Sequence, residues 1–545
     1  MQNQTLSNRL YRIPGLIFIF SSLSYLAWLF VHLNTNALAL GLLFFISQTF
    51  IFITAIISIV NHWSMKFRTD RPKLPENLPP IAVIVPTYKE PMKVLKKTLK
   101  SILEINYRGK VIIVLSNDYN TKAQVQKIEK MMVSLSRHWN ENIKKLRETD
   151  DSYANAKRDL HLIHTQPHKD AKAGNLNQAS GFLRKYYPEI DLVLTQDADE
   201  IVHPEILDAV IGYFSEPNIA FVQTIKHSKT AKGDPFGNKD YMWYLRSAPA
   251  REATESMFAC GSGVVWRLSA VESINGFATW NLVEDLTTSY NLVSNGWKSR
   301  YHFEQLSEGL APEDLANFIK QRGTWALDNL RIFFWDNPVF KKGLSFRQRL
   351  GFIEPSLFYL NGVFSVLLIL ATSFSLLFEK WPTTASAYDH AIYLLPSFMS
   401  LEAYFLLLAG DMPQKRIRQF WAGLSPVFIV AAAKAVFYGP NKKPKYKVTD
   451  KKDTYGNYLS LVAPQLMLIG LLLSGVVKTL LSTRIYSSFD WAVFFWGLYQ
   501  ATFYIQIIKV SMWKWTPQLL TSEFSKNFSF GAQTSVSLSY APDSA

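Results

Sequence analysis

The sequence predicts an α/β domain with a mostly parallel sheet, inserted into a set of membrane-crossing helices. Three observations carry this. Hydrophobic residues make up 48% of the 545-residue chain, yet mean hydropathy is near zero, because nearly charge-free stretches alternate with stretches rich in Lys, Asp and Glu. Between about 75 and 345, short apolar runs alternate with helical patterns, as in parallel strands joined by helices. Polar motifs follow those runs directly, at the strand ends where such sheets hold ligands.

Two spans open the chain, at about 14–33 and 38–60, joined by an uncharged link around Asn34–Asn36. Arg9 and Arg12 precede them, and Lys66, Arg68, Arg71 and Lys73 follow, which places the N-terminus and the residues after 62 in the cytoplasm. Ile13–Leu33 is too long for a signal-peptide core and lacks a small-residue cleavage site, so no cleaved leader is expected. Strands are expected at Ile81–Pro86, Val111–Ser116, Leu160–Thr165, Asp191–Thr195 and Ile219–Gln223, with helices such as Met92–Glu104 and Ala173–Tyr186 between them. Further spans follow at about 352–378, 388–410, 457–480 and 487–511.

Ala422–Tyr438 is apolar too. As a span it would put Lys442, Lys443, Lys445, Lys447, Lys451 and Lys452 outside the cell, so the expectation is an interfacial helix over about 416–438. The domains are then 1–62 (two spans), 63–345 (a cytoplasmic domain ending in interfacial helices), 346–512 (four spans, the interfacial helix and a loop at about 439–456) and 513–545 (a short cytoplasmic tail). The expected location is the plasma (inner) membrane, with lipids as partners. The net charge of +15 fits the span flanks better than nucleic-acid binding, and the single cysteine, Cys260, excludes an internal disulfide framework.

The chemistry-bearing residues follow the strands. Thr87, Tyr88 and Glu90 suit a flat base held by stacking and hydrogen bonds, or form a plain strand-to-helix turn. Asn117-Asp118 suits a ribose or base edge, or an ordinary turn. Lys172 and Gly174 open a helix that can meet phosphate. Asp197 and Asp199 end an apolar run at i, i+2 spacing, and two carboxylates so placed suit Mg²⁺ or Mn²⁺ with phosphate oxygens as further ligands. Val283-Glu284-Asp285 opens a helix and offers a general base or acidic capping. Gln321, Arg322 and Trp325 offer a sugar platform and a cation, or one face of an amphipathic helix. Asn361, Gln465, Gln500 and Gln506 lie in apolar runs near Tyr359, Tyr499 and Tyr504, where they face a wet channel or bond neighbouring helices.

Taken in this order, the motifs resemble those of the inverting, processive family 2 glycosyltransferases, the group containing bacterial cellulose synthase, hyaluronan synthase and curdlan synthase. The resemblance covers about residues 1–515. It implies a GT-A-type domain, a UDP-sugar donor with UDP-glucose favoured, and a growing polysaccharide in a transmembrane channel. Accessory export subunits are further partners it suggests. Thr87, Tyr88 and Glu90 resemble the uracil-contacting turn, and Asp118 the second Asp of an Asp-Asp pair whose first member is here Asn117. Lys172 and Gly174 match the Lys-Ala-Gly-Asn donor segment, and Asp197 and Asp199 the metal-binding Asp-x-Asp. Phe258, Cys260, Gly261 and Ser262 resemble the acceptor-side Phe-Cys-Gly-Ser with Ala259 inserted. Glu284 and Asp285 match Thr-Glu-Asp, with Val283 for Thr and Asp285 as base.

Gln321, Arg322 and Trp325 match Gln-x-x-Arg-Trp, but Thr324 replaces the Arg that faces the donor diphosphate, so Arg322 or a loop Lys is expected to substitute. Tyr446-Lys447-Val448-Thr449-Asp450-Lys451 resembles the Phe-x-Val-Thr-x-Lys gating loop, making Thr449 and Lys451 donor contacts and pointing to the β-glucan branch. Residues 512–545 are too few for the PilZ domain that often ends cellulose synthases, so none is expected. The resemblance leaves 1,4-, 1,3- and mixed-linkage glucan open. Other β-linked polymers, such as N-acetylglucosamine polymers or hyaluronan-like chains, and a non-processive lipid-linked transferase are the alternatives.

Overall fold

The computed structural model describes residues 9–118, 121–150, 153, 156–164, 170–230, 234, 236–312, 314–442, 458–481 and 488–512. The loop residues Thr449 and Lys451 lie outside them.

Among the described residues, the globular part is built on eight strands: β1 Ile81–Thr87, β2 Lys110–Asn117, β3 Lys157–His164, β4 Leu192–Thr195, β5 Glu200–Val202, β6 Ile219–Lys229, β7 Val264–Arg267 and β8 Lys298–Leu310. Their order is β3-β2-β1-β4-β7-β6-β8-β5. The β3-β2-β1-β4 half is parallel, with Ile81 opposite both Val111 and Leu192. β7 enters antiparallel between β4 and β6, and β6 and β8 are parallel again. The five predicted strands all form. Sequence reading missed β5, β7 and β8: β5 and β7 are only three and four residues long, and β8 (KSRYHFEQLSEGL) carries charges where a buried strand would be apolar.

Both faces of the sheet are covered, and the side chains of β1 divide by parity. Ile81, Val83 and Val85 pack with Leu95, Leu99 and Ile102 of α3 (Met92–Leu103) and with Ile128, Leu135 and Trp139 of α4 (Lys122–Thr149). Ala82 and Ile84 face Leu176, Ala179 and Leu183 of α5 (Ala171–Tyr186) and Leu292 of α6 (Glu284–Ser294). That alternation follows from the two-residue period of a strand, and burial on both faces accounts for the unbroken apolar run.

Among the described residues, five helices are long and apolar enough to cross a membrane: α1 Arg12–Val31, Thr35–Asn61 (whose α-helical part is α2, Leu38–Asn61), α8 Phe346–Phe378, α9 Ala387–Ala409, and Leu459–Leu481 (containing α12, Ala463–Leu481). The expected interfacial helix is two helices, α10 Gln414–Gly423 and α11 Ser425–Tyr438, bent by 48°. Taken as one, that pair has the length and apolarity of a sixth span. The last expected span forms α13 (Ser488–Ser511), but Asp490, Gln500, Gln506 and Lys509 leave it short of the same apolarity. α7 (Leu315–Trp335) joins the two parts of the molecule: its Leu315, Phe318, Leu327 and Leu330 share a core with Tyr359 of α8, Phe420 of α10 and Phe428 of α11.

Candidate active site

The predicted motifs converge where β1, β2 and β4 end and α5 and α6 begin. The β1 turn closes on Glu90, whose carboxylate accepts from Thr87 Oγ1 at 2.5 Å and from Tyr88 N. Lys89 takes a left-handed conformation there, φ +63°. Asp118 is buried beside this turn, its N–H donating to Thr87 O at 3.0 Å. Thr87, Tyr88, Glu90 and Asp118 therefore form one corner.

Lys172, in the first turn of α5, gathers the acidic motifs. Its Nζ lies 2.8 Å from Asp197 Oδ1 and 3.1 Å from Glu284 Oε1, and donates to Gly261 O at 2.9 Å. Burial alone would lower the Lys172 pKa, but Asp197, Glu284 and Asp285 more than offset it and hold the value well above the ordinary one. Gly174 follows in the same turn, its N–H donating to Asp170 O. Asp197 N–H donates to Ser262 Oγ at 3.0 Å, which ties the Asp-x-Asp turn to the Cys260–Ser262 segment. Gly261 is confined: φ is +81°, and a Cβ there would stand 2.9 Å from both Asp285 Oδ2 and Lys172 Nζ.

Asp285 sits at the N-terminus of α6 with Val283 as N-cap residue, as the motif predicts. Burial first, then the Glu284 charge, pushes its carboxyl up to about 7, against the Lys172 ammonium and the Leu286 N–H that donates to Oδ1 at 2.7 Å. Cys260 adjoins it. Its N–H donates to Gln223 Oε1 at 2.7 Å, its Sγ accepts from Trp243 Nε1, and burial first, then Asp285, pushes the thiol up to about 12. Phe258 packs on Trp243, ring centroids 4.6 Å apart.

Asp197 and Asp199 are both half-buried at the end of β4. No group of three or more His, Cys, Asp or Glu gathers into a metal shell among the described residues. Two carboxylates alone fit Mg²⁺ or Mn²⁺, which take most remaining ligands from substrate phosphate and water.

A cleft of about 2320 Å³ is lined by Asp285, Cys260 and Phe258, by Gln321, Arg322 and Trp325, and by Phe358 and Tyr359 of α8 and Trp421 of α10. Of the polar and tyrosine residues singled out in the spans, Tyr359 alone lines it among the described residues. Gln465 instead donates to Gly423 O at 2.8 Å, and Tyr499 to Glu402 Oε1 at 3.2 Å, the helix-to-helix alternative.

Arg322 is 2% exposed and turned away from the acidic cluster. Nη2 donates to Asp240 Oδ2 at 2.9 Å and Asn238 Oδ1 at 3.1 Å, and the guanidinium lies 4.5 Å and 5.0 Å from the ring centres of Trp325 and Trp421. Thr324 bonds back to Lys320 O on its own helix. Arg322 therefore braces the Trp325 ring.

Three groups escaped sequence reading. Lys226 pairs with buried Glu200 behind the Asp-x-Asp turn, and burial pushes the Glu200 pKa up even so. Asp240 is the counter-ion of Arg322. Asp328 accepts from Val283 N at 2.5 Å, while Arg331 donates to Trp280 O and Asn281 Oδ1 and, on its other side, to the carbonyls of Gly439, Pro440 and Lys442. Only the Asp-Ala-Asp-Glu run hinted at Glu200. The other pairings join segments far apart in the chain.

Comparison with known proteins relates this fold and site to glycosyltransferases. The family model described as "Glycosyltransferase like family 2" matches residues 79–327, and that described as "Cellulose synthase" matches 271–423. Both matches fall on the segments whose motifs carry the resemblance read from the sequence, and bear that resemblance out. Cellulose synthase 1 of Komagataeibacter xylinus is 26% identical over 396 residues, covering 70% of this chain and 23% of that protein. The cellulose synthase 1 catalytic subunit [UDP-forming] of the same organism is 25% identical over 425 residues (74% and 52%), and the cellulose synthase catalytic subunit [UDP-forming] of Pseudomonas fluorescens (strain SBW25) 24% over 416 (74% and 52%). The chain thus spans about half the length, or less, of these curated relatives. Among solved structures, the mannosyltransferase PcManGT from Pyrobaculum calidifontis, in complex with GDP-Man and Mn2+, aligns with a TM-score of 0.49 at 17% identity, covering 72% of this chain and 99% of that one.

Proposed function

We propose that this chain is a processive, inverting β-glycosyltransferase that polymerises glucose from UDP-glucose into a β-glucan and passes the product through its own membrane helices. The observation that carries the reading is the single cleft that Asp285 and Trp325 share with Tyr359, on the span-length helix α8, and with Trp421 on α10. A growing polymer that leaves through the membrane helices needs such a connection to the base.

The corner formed by Thr87, Tyr88, Glu90 and Asp118 holds the nucleoside. Lys172 meets the diphosphate, and the sugar points toward Asp285. Phe258, Cys260, Gly261 and Ser262 shape the acceptor end, which rests on Trp325. Asp285 takes the proton of the acceptor hydroxyl while that oxygen bonds to C1 from the face opposite the leaving group. The C1–O bond to phosphate breaks and UDP departs with its electron pair, so an α-linked donor becomes a β-linked unit without a covalent enzyme intermediate. A base whose pKa lies near 7 is suited to neutral pH. Asp197 and Asp199 would hold Mg²⁺ or Mn²⁺, which offsets charge on the diphosphate. Gln321 lines the same cleft, and Thr449 and Lys451 are assigned to the donor by their motif alone.

The deciding experiment supplies labelled UDP-glucose with Mg²⁺ or Mn²⁺ to the purified protein in proteoliposomes, with Asp285→Asn as blank. A high-molecular-weight product, lost in the variant and cut by a linkage-specific glucanase, is the expected result, and the digest assigns the 1,4-, 1,3- or mixed linkage. Polymer from UDP-N-acetylglucosamine alone would overturn the donor. A single sugar moved to lipid, with no polymer from any donor, would overturn the synthase.

A further inference from the structure

The turn between α7 and α8 combines exposed aromatic residues with exposed cations. Phe334, Trp335, Val339, Phe340 and Phe346 are all exposed, Phe340 to 81% and Phe346 to 73%. On α11, which packs along α7, Val430, Val436 and Phe437 are exposed as well. Trp335 Nε1 donates to Ala435 O at 2.9 Å and joins the two surfaces. Lys342, Arg347 and Lys434 are exposed on the same turn and helix and form no ion pair among the described residues, whereas neighbouring Lys341 pairs with Asp336 at 2.6 Å. The apolar helix α8 starts at Phe346, so the patch runs directly into a membrane span. Aromatic side chains fringed by cations, beside a span, are suited to an interface with anionic headgroups.

The same turn is clamped to the helix that carries the base. Gly343 has φ +83°, and a Cβ there would stand 1.9 Å from Ser294 O, so the turn's backbone lies against the last residue of α6. Tyr290 OH donates to Asp336 O at 2.9 Å. Lys341 Nζ donates to Asn291 Oδ1 at 3.4 Å and lies 4.6 Å from the Tyr290 ring centre. Whatever fixes residues 336–345 therefore fixes α6, which begins with Glu284 and Asp285.

We propose that the 334–347 turn is a binding surface for anionic phospholipid headgroups, and that lipid seated there holds α6, and with it Asp285, in place. The positioning half of this inference rests on the proposed function; the lipid-binding half does not. The full chain is reconstituted in nanodiscs of phosphatidylcholine alone or mixed with phosphatidylglycerol, and UDP release from UDP-glucose is followed. Each basic residue at an anionic surface is worth roughly fivefold in partitioning, so phosphatidylglycerol is expected to raise kcat several-fold with little change in KM. The K342Q/R347Q double variant is expected to keep the phosphatidylcholine rate and lose that rise. A rise that persists in the double variant, or no rise in the wild type, overturns the positioning role.

A second measurement stands apart from activity. A nitroxide is attached at F340C in a C260S background, and its collisions with oxygen and with a water-soluble nickel chelate are compared. Oxygen-dominated collisions, shifted further toward oxygen by phosphatidylglycerol, are expected. Nickel-dominated collisions in both lipids overturn the lipid surface itself. Absence of UDP release from any donor sugar would count against the proposed function and leave the nitroxide result to decide the surface.

Discussion

Asp285 has the environment of a base tuned by burial. Its pKa is raised to about 7, so it carries its proton below that pH and accepts one above it. The sign follows: kcat/KM for UDP release should fall on the acid side with a midpoint near 7, well above the usual carboxylate range. Glu284 is the second cause of the rise, so Glu284→Gln should move that midpoint down, which a pH–rate profile reads directly. Gly261→Ala tests the neighbouring backbone. A methyl group at φ +81°, 2.9 Å from Asp285 Oδ2 and Lys172 Nζ, must displace one of them, and a loss of activity of at least about tenfold with retained folding is expected. Arg322→Ala should raise the KM of the acceptor and leave donor affinity nearly unchanged, because Asp240 and two indoles, rather than the acidic cluster, surround the guanidinium. Unchanged acceptor KM with weakened donor binding would restore Arg322 as the substitute for the Arg that Thr324 replaces.

At the scale of elements, α7 holds two things together. Its Asp328 and Arg331 grip residues 280–283, just before the base, and Arg331 alone reaches Gly439, Pro440 and Lys442. Arg331→Met leaves these carbonyls without their donor, at a cost of about 3 kcal/mol, and should make the chain more readily cut by protease near 439–442, as limited proteolysis would show. This grip was illegible in the sequence. Short apolar runs revealed β1, β2, β3, β4 and β6, and the motif spacing revealed the starts of α5 and α6, because those signals are local. The partners of Arg331 lie in segments remote from it in sequence, and nothing in a helix such as LANFIKQRGTWALDNLRIFFW says which carbonyls its arginines will meet. The same holds for β7, four residues whose antiparallel place between β4 and β6 is decided by the sheet.

For the whole molecule, the proposed function makes the membrane helices that line the cleft part of the product's route. Tyr359 and Trp421 line that cleft, so Tyr359→Ala should shorten the polymer while UDP release continues, which gel filtration of the labelled product would reveal. The helices were legible from apolarity alone. Their pairing was not: α1 lies against α9, with Gly15 on Tyr404 and Ser397 Oγ bonded to Ser21 Oγ at 3.1 Å, and α2 lies against α8. That pairing has a consequence for how a cell makes the protein. At a synthesis rate of about 5–20 residues per second, the first two helices wait roughly 20 s or longer in the bilayer before the segments they pack against leave the ribosome. During that interval Ser21 and Ser22 can bond only the Phe18 and Ile19 carbonyls of their own helix, and Gln48 has lipid, the other helix or a chaperoning insertase for company, so the order of manufacture, and not only the finished packing, selects for a first hairpin that tolerates being alone.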